Sequence, residues 1–395
     1  MLETLLTINS PDMNLLDKIQ PFYVMQLLNR AKALEQAGAD VVHMEIGEPD
    51  FPTPPLVVNA GIEFLSKGEV KYTPAAGLSA LREAIARFYA ERYNVEVPVS
   101  RIFVTPGSSG AVLLALAGLL ERGGEVLLSD PGYPCYPNFV RLLGGEPRLV
   151  PVGVETNFQL DAARLGRHWT PQARGAVMAS PSNPTGTMTD GATLREIADF
   201  LDAHGGFWLS DEIYHGLVYG EPARSTLEFS EQAFVVNSFS KYFGMTGWRL
   251  GWAVVPEAFV GLAERLAQNL FISAPTHSQM AALAAFSPDN LAELERRRCE
   301  FETRRDFLLR ELPGLGFGIP VRPQGAFYIY ADCSRWTDDS FEFAWRLLEE
   351  AHVAVTPGKD FGLNEQQYHL RFAYTASLRH LNEGLRRIRD FLGPP

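Results

Sequence analysis

The chain is predicted to be an α/β protein in which a mostly parallel central sheet is sandwiched by helices, with a second, smaller α+β domain. Between about residues 100 and 255, short apolar runs alternate with longer segments of helical spacing. Most of those runs are continuous Val, Leu and Phe rather than alternating, as strands buried on both faces require. After Pro256 the pattern changes to a long helical stretch followed by a shorter mixture of strands and helices. With 395 residues and 46% hydrophobic content, the chain can fill one large core and a smaller one. The expected division is 48–285 for the large domain and 1–47 plus 286–395 for the small one.

Taken in order, a helix is expected around 22–37, without a sheet of its own and therefore beside the C-terminal unit. Strands follow at 101–105, 125–129, 176–180, 207–211, 233–239 and 250–255. Between them, 111–121, 137–143 and 189–204 carry helical spacing or cap signals. The helical stretch after Pro256 is interrupted at Ser287-Pro288-Asp289 and stopped by Pro313-Gly314. Segments 317–321, 326–331 and 369–373 read as strands, and 340–351 and 377–391 as helices. Gly314-Leu315-Gly316-Phe317-Gly318 has glycine spacing like that of a dinucleotide loop. It leads into a strand, however, so a helix stop is the better reading. No repeat or low-complexity segment stands out.

Composition narrows the function classes. A formal charge of -12 argues against nucleic-acid binding, which needs a basic face. The one basic triplet, Arg296-Arg297-Arg298, follows Glu293 and Glu295 and reads as a solvated helix face. Cys135, Cys299 and Cys333 are far apart and odd in number, which fits a reducing compartment and gives no CxxC spacing. The eight histidines form no HxxxH or HExxH pair, so no metal is expected. Met1-Leu2-Glu3-Thr4-Leu5-Leu6 lacks the features of a signal peptide, and no run approaches the ~20 apolar residues that span a bilayer. A cytoplasmic protein without a membrane partner is the expectation.

Chemistry-bearing residues gather at the ends of the predicted strands. Lys241 lies in Asn237-Ser238-Phe239-Ser240-Lys241-Tyr242-Phe243-Gly244, between an apolar run and a loop rich in glycine, with Arg249 eight positions on. An amine among small and apolar groups near a fixed cation loses its proton more easily and can attack a carbonyl. Alone, it reads better as a surface lysine in a turn. Thr105-Pro106-Gly107-Ser108-Ser109-Gly110 closes a strand and opens a helix, where exposed N–H groups can hold a phosphate, although any Ser-capped helix looks similar. Asp211, at the end of 207–211, is either a helix N-cap or a carboxylate set against a protonated ring nitrogen, with Tyr214 near the same ring. Ser180-Pro181-Ser182-Asn183-Pro184-Thr185-Gly186 is a generic turn, or one that aims the Asn183 amide at a phenolate-like oxygen through a cis bond before Pro184. Asp130-Pro131-Gly132-Tyr133 ends another strand and can offer an aromatic face for stacking, although an aromatic after a strand is more often simply packed.

Together these segments resemble the pyridoxal-phosphate-dependent aminotransferases of class I/II, which have the PLP-dependent transferase fold type I and include the aspartate aminotransferases. The resemblance covers nearly the whole chain. It is carried by Glu45-Ile46-Gly47-Glu48-Pro49-Asp50-Phe51, the run from Tyr72 to Arg82, the DPGYPCY, SPSNPTG, SDEIY and SFSKYFGMTGWRLGW segments, and RFAYT from Arg371. It implies pyridoxal 5′-phosphate as cofactor. By resemblance, Lys241 holds the cofactor as an imine and then moves a proton between substrate Cα and cofactor C4′. Asp211 partners the pyridinium nitrogen; Asn183 and Tyr214 hold the ring oxygen; Tyr133 stacks on the ring. Ser108, Ser109, Ser238 and Arg249 bind the phosphate. Tyr72 is similar to the tyrosine that reaches this phosphate from a neighbouring subunit, implying a homodimer with shared sites. Arg371 would capture the substrate α-carboxylate, with Gly47 and Asn183 beside it; on general grounds a structural ion pair is its other reading.

The implied reaction transfers an amino group between an L-amino acid and a 2-oxo acid such as 2-oxoglutarate. Gly107-Ser108-Ser109-Gly110 lacks the lysine that some aspartate-specific relatives carry there. Phe22, Tyr23 and 269–273 can line an apolar pocket or be ordinary packing, so a neutral or aromatic donor is the expectation. Two alternatives remain open: β-elimination from a cysteine conjugate on the same scaffold, and an aminotransferase-like ligand-sensing domain. The second sits poorly with an acidic chain in which 46 residues precede Gly47.

Overall fold

The computed structural model describes residue 19 and residues 21–393. The run from Met1 to Leu6 and the start of the expected small domain lie outside the described residues. Helix α1 (Tyr23–Gln36) has no side-chain cap from its own N-cap residue. Its first N–H groups are taken by Asp360, whose carboxylate accepts from Tyr23 N at 2.7 Å and Val24 N at 3.1 Å. Strand β1 (Val42–His43) follows, then α2 (Pro55–Ser66), opened by proline at its first position, and α3 (Ser79–Tyr93), stopped by Asn94 in the left-handed region.

The large sheet is then laid down in alternation with helices: β2 (Ile102–Thr105), α4 (Gly107–Leu119), β3 (Glu125–Asp130), α5 (Cys135–Leu142), β4 (Glu146–Pro151), α6 (Ala162–His168), β5 (Ala173–Ala179), α7 (Gly191–Ala203), β6 (Phe207–Asp211), β7 (Phe234–Ser238) and β8 (Gly251–Val254). Asp161 and Asp190 cap α6 and α7. Next come α8 (Val260–Leu270), α9 (Thr276–Ala282) and α10 (Pro288–Glu311); Ser287 caps α10 where the sequence showed an interruption. The chain closes with β9 (Tyr328–Asp332), α11 (Ser340–Ala351), β10 (Val353–Ala354), β11 (Thr356–Pro357), β12 (His369–Ala373) and α12 (Leu378–Leu392).

Strand order in the large sheet is β2-β8-β7-β6-β5-β3-β4, parallel throughout except for β8, which is antiparallel to both of its neighbours. Thr105, Asp130, Ala179, Asp211 and Ser238 therefore end their strands at one edge. Leu127, Ala176 and Trp208 pack on one face, and their chain neighbours Leu128, Val177 and Leu209 on the other, so the sheet is buried on both sides. Strands β11-β12-β9 form a small antiparallel sheet, and β1 pairs in parallel with β10. This ties the N-terminal segment to the C-terminal unit. The two units do not have separate cores. Val235 and Trp252 of the large sheet share one apolar cluster with Ile329, Phe372 and Leu347.

Two expectations need correction. Segment 317–321 is not a strand: only Gly318 pairs, in an isolated bridge to Asp332, with Pro320 close behind. Strand β4 is absent from the sequence reading because prolines stand at Pro147 and Pro151; it pairs only with β3, and an edge strand tolerates them. Among the described residues, no helix is long and apolar enough to cross a membrane.

Candidate active site

Lys241 is held by the turn that follows β7. Ser240 donates its N–H to Ser238 Oγ at 3.0 Å, Thr246 Oγ1 donates to Ser240 O at 2.9 Å, and Gly244, at a φ of 65°, turns the chain back. The amine projects to the sheet edge, where Nζ donates to Gly47 O at 2.6 Å and lies 5.6 and 5.8 Å from the ring centroids of Phe327 and Tyr214. Burial lowers its pKa to about 8; the cations Arg371 and Arg249 act in the same direction, against Glu48 and Asp211. Amine and ammonium are therefore both populated near neutrality.

Asp211 ends β6 and is 3% exposed. It caps a turn and not a helix: Ile213 N donates to Oδ1 at 3.0 Å, and Tyr136 Oη donates to Oδ2 at 2.5 Å. Burial raises its pKa to about 6, opposed by those two hydrogen bonds and by Lys241. Tyr214 Oη and Tyr328 Oη share a hydrogen bond of 2.8 Å. Tyr133 stands edge to face with Tyr136, centroids 5.3 Å apart.

At the start of α4, no side chain caps the helix, and Ser108 and Ser109 line a cavity there. A Cβ on Gly107, whose φ is 72°, would come within 2.5 Å of Arg249 Nη2, and one on Gly251 within 2.7 Å of Ser108 N. Glycine at both positions lets an arginine and a helix N-terminus converge, and such a cradle suits a phosphate. Arg249, itself at a φ of 50°, is tethered through Nη1 to Thr246 O at 3.1 Å. Ser238 stands at the end of β7. It is buried under the turn, with its hydroxyl engaged by Ser240 N and Leu250 O, and Ser240 lines the cavity instead.

Arg371, 5% exposed, stands on β12 opposite Thr356. Nη1 donates to Asn183 Oδ1 at 2.8 Å; Nη2 donates to Thr356 Oγ1 at 3.1 Å and to Glu45 O. Its guanidinium lies 4.3 Å from the Tyr328 ring centroid. All these partners are neutral, and Nε has none. Among the described residues the alternative reading as a structural ion pair is therefore not met. Asn183 precedes a cis bond to Pro184, as the turn suggested. At Gly47, an added Cβ would overlap the Tyr328 hydroxyl, so only glycine lets this backbone lie against the tyrosine.

These groups converge on one cavity of about 310 Å³ at the sheet edge between the large sheet and the small unit. Lys241, Asp211, Tyr214, Asn183, Tyr133, Ser108, Ser109, Arg249, Gly47 and Arg371 all line it. Tyr72 does not; it is 80% exposed on the outer surface. Phe22 lines the cavity, whereas Tyr23 lines a neighbouring one and 269–273 lines neither. Sequence reasoning missed Tyr136, Tyr328 and Thr356. Tyr136 had a signal, one helical turn after Tyr133; the other two act across chain separations that no local pattern reveals. Lys241, Asp211 and the glycine-lined cradle fit pyridoxal phosphate, which needs an amine, a ring-nitrogen partner and an anion site. Among the described residues no group of His, Cys, Asp and Glu is placed to hold a metal.

The family described as aminotransferase class I and II matches residues 39–388. The (5-formylfuran-3-yl)methyl phosphate transaminase of Methanocaldococcus jannaschii is 39% identical, over 94% of this chain and 97% of its own. The valine–pyruvate aminotransferase of Mycobacterium tuberculosis is also 39% identical, over 95% and 97%. Among solved structures, a protein from Methanococcus jannaschii, described as similar in its active site to kynurenine aminotransferases, superposes with a TM-score of 0.88. It is 38% identical, with 96% of this chain and 99% of that one covered.

Proposed function

This chain belongs to the class I and II aminotransferases, enzymes that depend on pyridoxal phosphate, and from that premise we propose which residues carry the reaction and which substrates it serves. When bound, pyridoxal phosphate supplies a carbonyl carbon for amines and a protonated ring that delocalises the electron pair left at substrate Cα. The chain supplies the remainder. Lys241 Nζ would hold the cofactor and, when free, would take the proton from substrate Cα; a pKa near 8 suits both tasks. Asp211, steadied by Tyr136, keeps a ring nitrogen protonated, and Asn183 and Tyr214 donate to the ring oxygen. Tyr133 covers the ring. Ser108, Ser109 and Arg249 hold the phosphate, while Ser238 acts indirectly by fixing Ser240.

One observation carries the substrate reading: Arg371 is buried in the same cavity as Lys241 and has only neutral partners. An α-carboxylate supplies its missing anion, and bidentate capture orients Cα toward Nζ. Phe22, Val24, Met25, Leu28 and Ile46 line that cavity, which supports a neutral or aromatic donor. The names of the valine–pyruvate enzyme and of the kynurenine-type relative are consistent with it. An acceptor such as 2-oxoglutarate presents the same α-carboxylate to Arg371. Residues 48–285 act as the cofactor-binding unit, and the described part of 1–47 with 286–395 closes over the substrate and excludes water.

A homodimer fits the exposed apolar side chains of Ile62, Leu65, Val70 and Ile272, which accompany Tyr72 on the outer surface. Three free cysteines fit a reducing, cytoplasmic location. The test is a half-reaction screen of amino acids against the cofactor-loaded protein, following cofactor absorbance and identifying the product. A 2-oxo acid from neutral or aromatic donors supports the reading; pyruvate and ammonia from cysteine conjugates would replace it with β-elimination.

A further inference from the structure

A second cavity, of about 340 Å³, adjoins the first. Phe22, Tyr133, Pro134, Tyr136, Asp360 and Phe361 border both and so form the wall they share. Phe361 belongs to that wall, and its ring centroid lies 4.9 Å from the Arg371 guanidinium. The second cavity differs from the first in its charge. It is lined by Arg141, in the last turn of α5, and by Lys359, whose Nζ lies 4.9 Å from the Tyr23 ring centroid and 5.3 Å from that of Phe341. Neither cation has an ion-pair partner among the described residues. The one acid in the lining, Asp360, is committed to the N–H groups of Tyr23 and Val24.

This arrangement answers a difficulty that the first cavity leaves. A transaminase that takes neutral or aromatic donors and an acidic acceptor must accommodate a second negative charge in a site walled by Phe22, Met25 and Leu28. An anion buried against such side chains without a partner is strongly disfavoured. We propose that the second cavity receives the terminal carboxylate or phosphate of an acidic substrate, at Arg141 and Lys359, while Arg371 holds its α-carboxylate. Neutral donors leave this chamber to water. The proposal rests on the reading of Arg371 given above.

The experiment measures binding and needs no turnover. Linear dicarboxylates of increasing length, and ω-phosphonocarboxylates of the same lengths, are titrated calorimetrically into cofactor-loaded protein beside monocarboxylates of equal length. At one chain length the second anion is expected to tighten binding about 10-fold or more, equivalent to ~1.4 kcal/mol. The ratio should fall to about one in the Lys359→Gln/Arg141→Gln double variant and survive in Lys359→Arg, since the rest of the lining is untouched. A stronger response to the phosphono series identifies phosphate as the terminal group, and a stronger response to dicarboxylates identifies carboxylate. A ratio near one at every length overturns the proposal, as does a preference that persists in the double variant. Arg371→Ala separates the two readings. If monocarboxylates bind that variant as well as wild type, the α-carboxylate role fails, whatever the chamber does.

Discussion

At the residue scale, Lys241 and Arg371 owe their properties to what surrounds them. Lys241 is an amine with its pKa lowered to about 8, mainly by burial. Its reactive form is neutral, so capture of pyridoxal phosphate by cofactor-free protein should speed up by about tenfold between pH 7 and pH 9 and level off above that. Stopped-flow absorbance gives the profile; a rate independent of pH in this range would remove the amine from the rate-limiting step. Lys241→Ala should lower kcat by at least about 10²–10⁴-fold, the usual worth of a positioned proton carrier. Arg371 gives a different signature. Arg371→Ala leaves Asn183 Oδ1, Glu45 O and Thr356 Oγ1 without their donor and the substrate without its partner. For every amino acid tested, kcat/KM should fall by roughly 2–4 kcal/mol, chiefly through KM. An unchanged KM across the panel would end that role.

At the element scale, the phosphate cradle depends on how the start of α4 meets β8. Gly107 and Gly123 both sit at positive φ, but a side chain at Gly107 meets Arg249, whereas one at Gly123 meets nothing within 4 Å. Alanine at either position should cost about 1–2 kcal/mol of stability through backbone strain. Only Gly107→Ala should also weaken cofactor binding, because it displaces the arginine. Thermal melts with titration of pyridoxal phosphate separate the two effects; equal cofactor affinity in both variants would mean that the Gly107 contact with Arg249 does not shape the site. The strands position the chemistry in a way that was legible beforehand, since Asp211 and Lys241 stand at or just beyond the ends of buried parallel strands. Strand β4 was not legible. Its prolines contradict a central strand, and nothing local reveals that it lies at the edge.

At the scale of the whole molecule, the apolar residues left outside are as informative as the core. Ile62 is 61% exposed and Tyr72 80% on the outer surface, and neither lines the two cavities. If this surface joins two copies, Ile62→Glu should shift sedimentation from twice the chain mass to the chain mass. If the sites are shared, mixing inactive Lys241→Ala dimers with Tyr72→Ala dimers should restore activity on subunit exchange, because one site of each hybrid carries neither lesion. A mixture no more active than its components would make each site self-sufficient.

The sequence by itself determined the α/β architecture, the order of the strand-end motifs, and Lys241, Asp211, Asn183 and Arg371 as the residues to follow. Each is marked by a local pattern: a buried strand, a turn, a charge where charge is costly. Only the tertiary structure decided what those residues touch. Tyr328 reaches Tyr214 from 114 positions away, Tyr136 reaches Asp211 from 75, and Asp360 secures the first helix from 337. It also put Ser240 in the cavity and set Arg141 and Lys359 in one chamber. Periodicity records which face of an element is buried, whereas the partner met on that face is fixed by how distant elements pack.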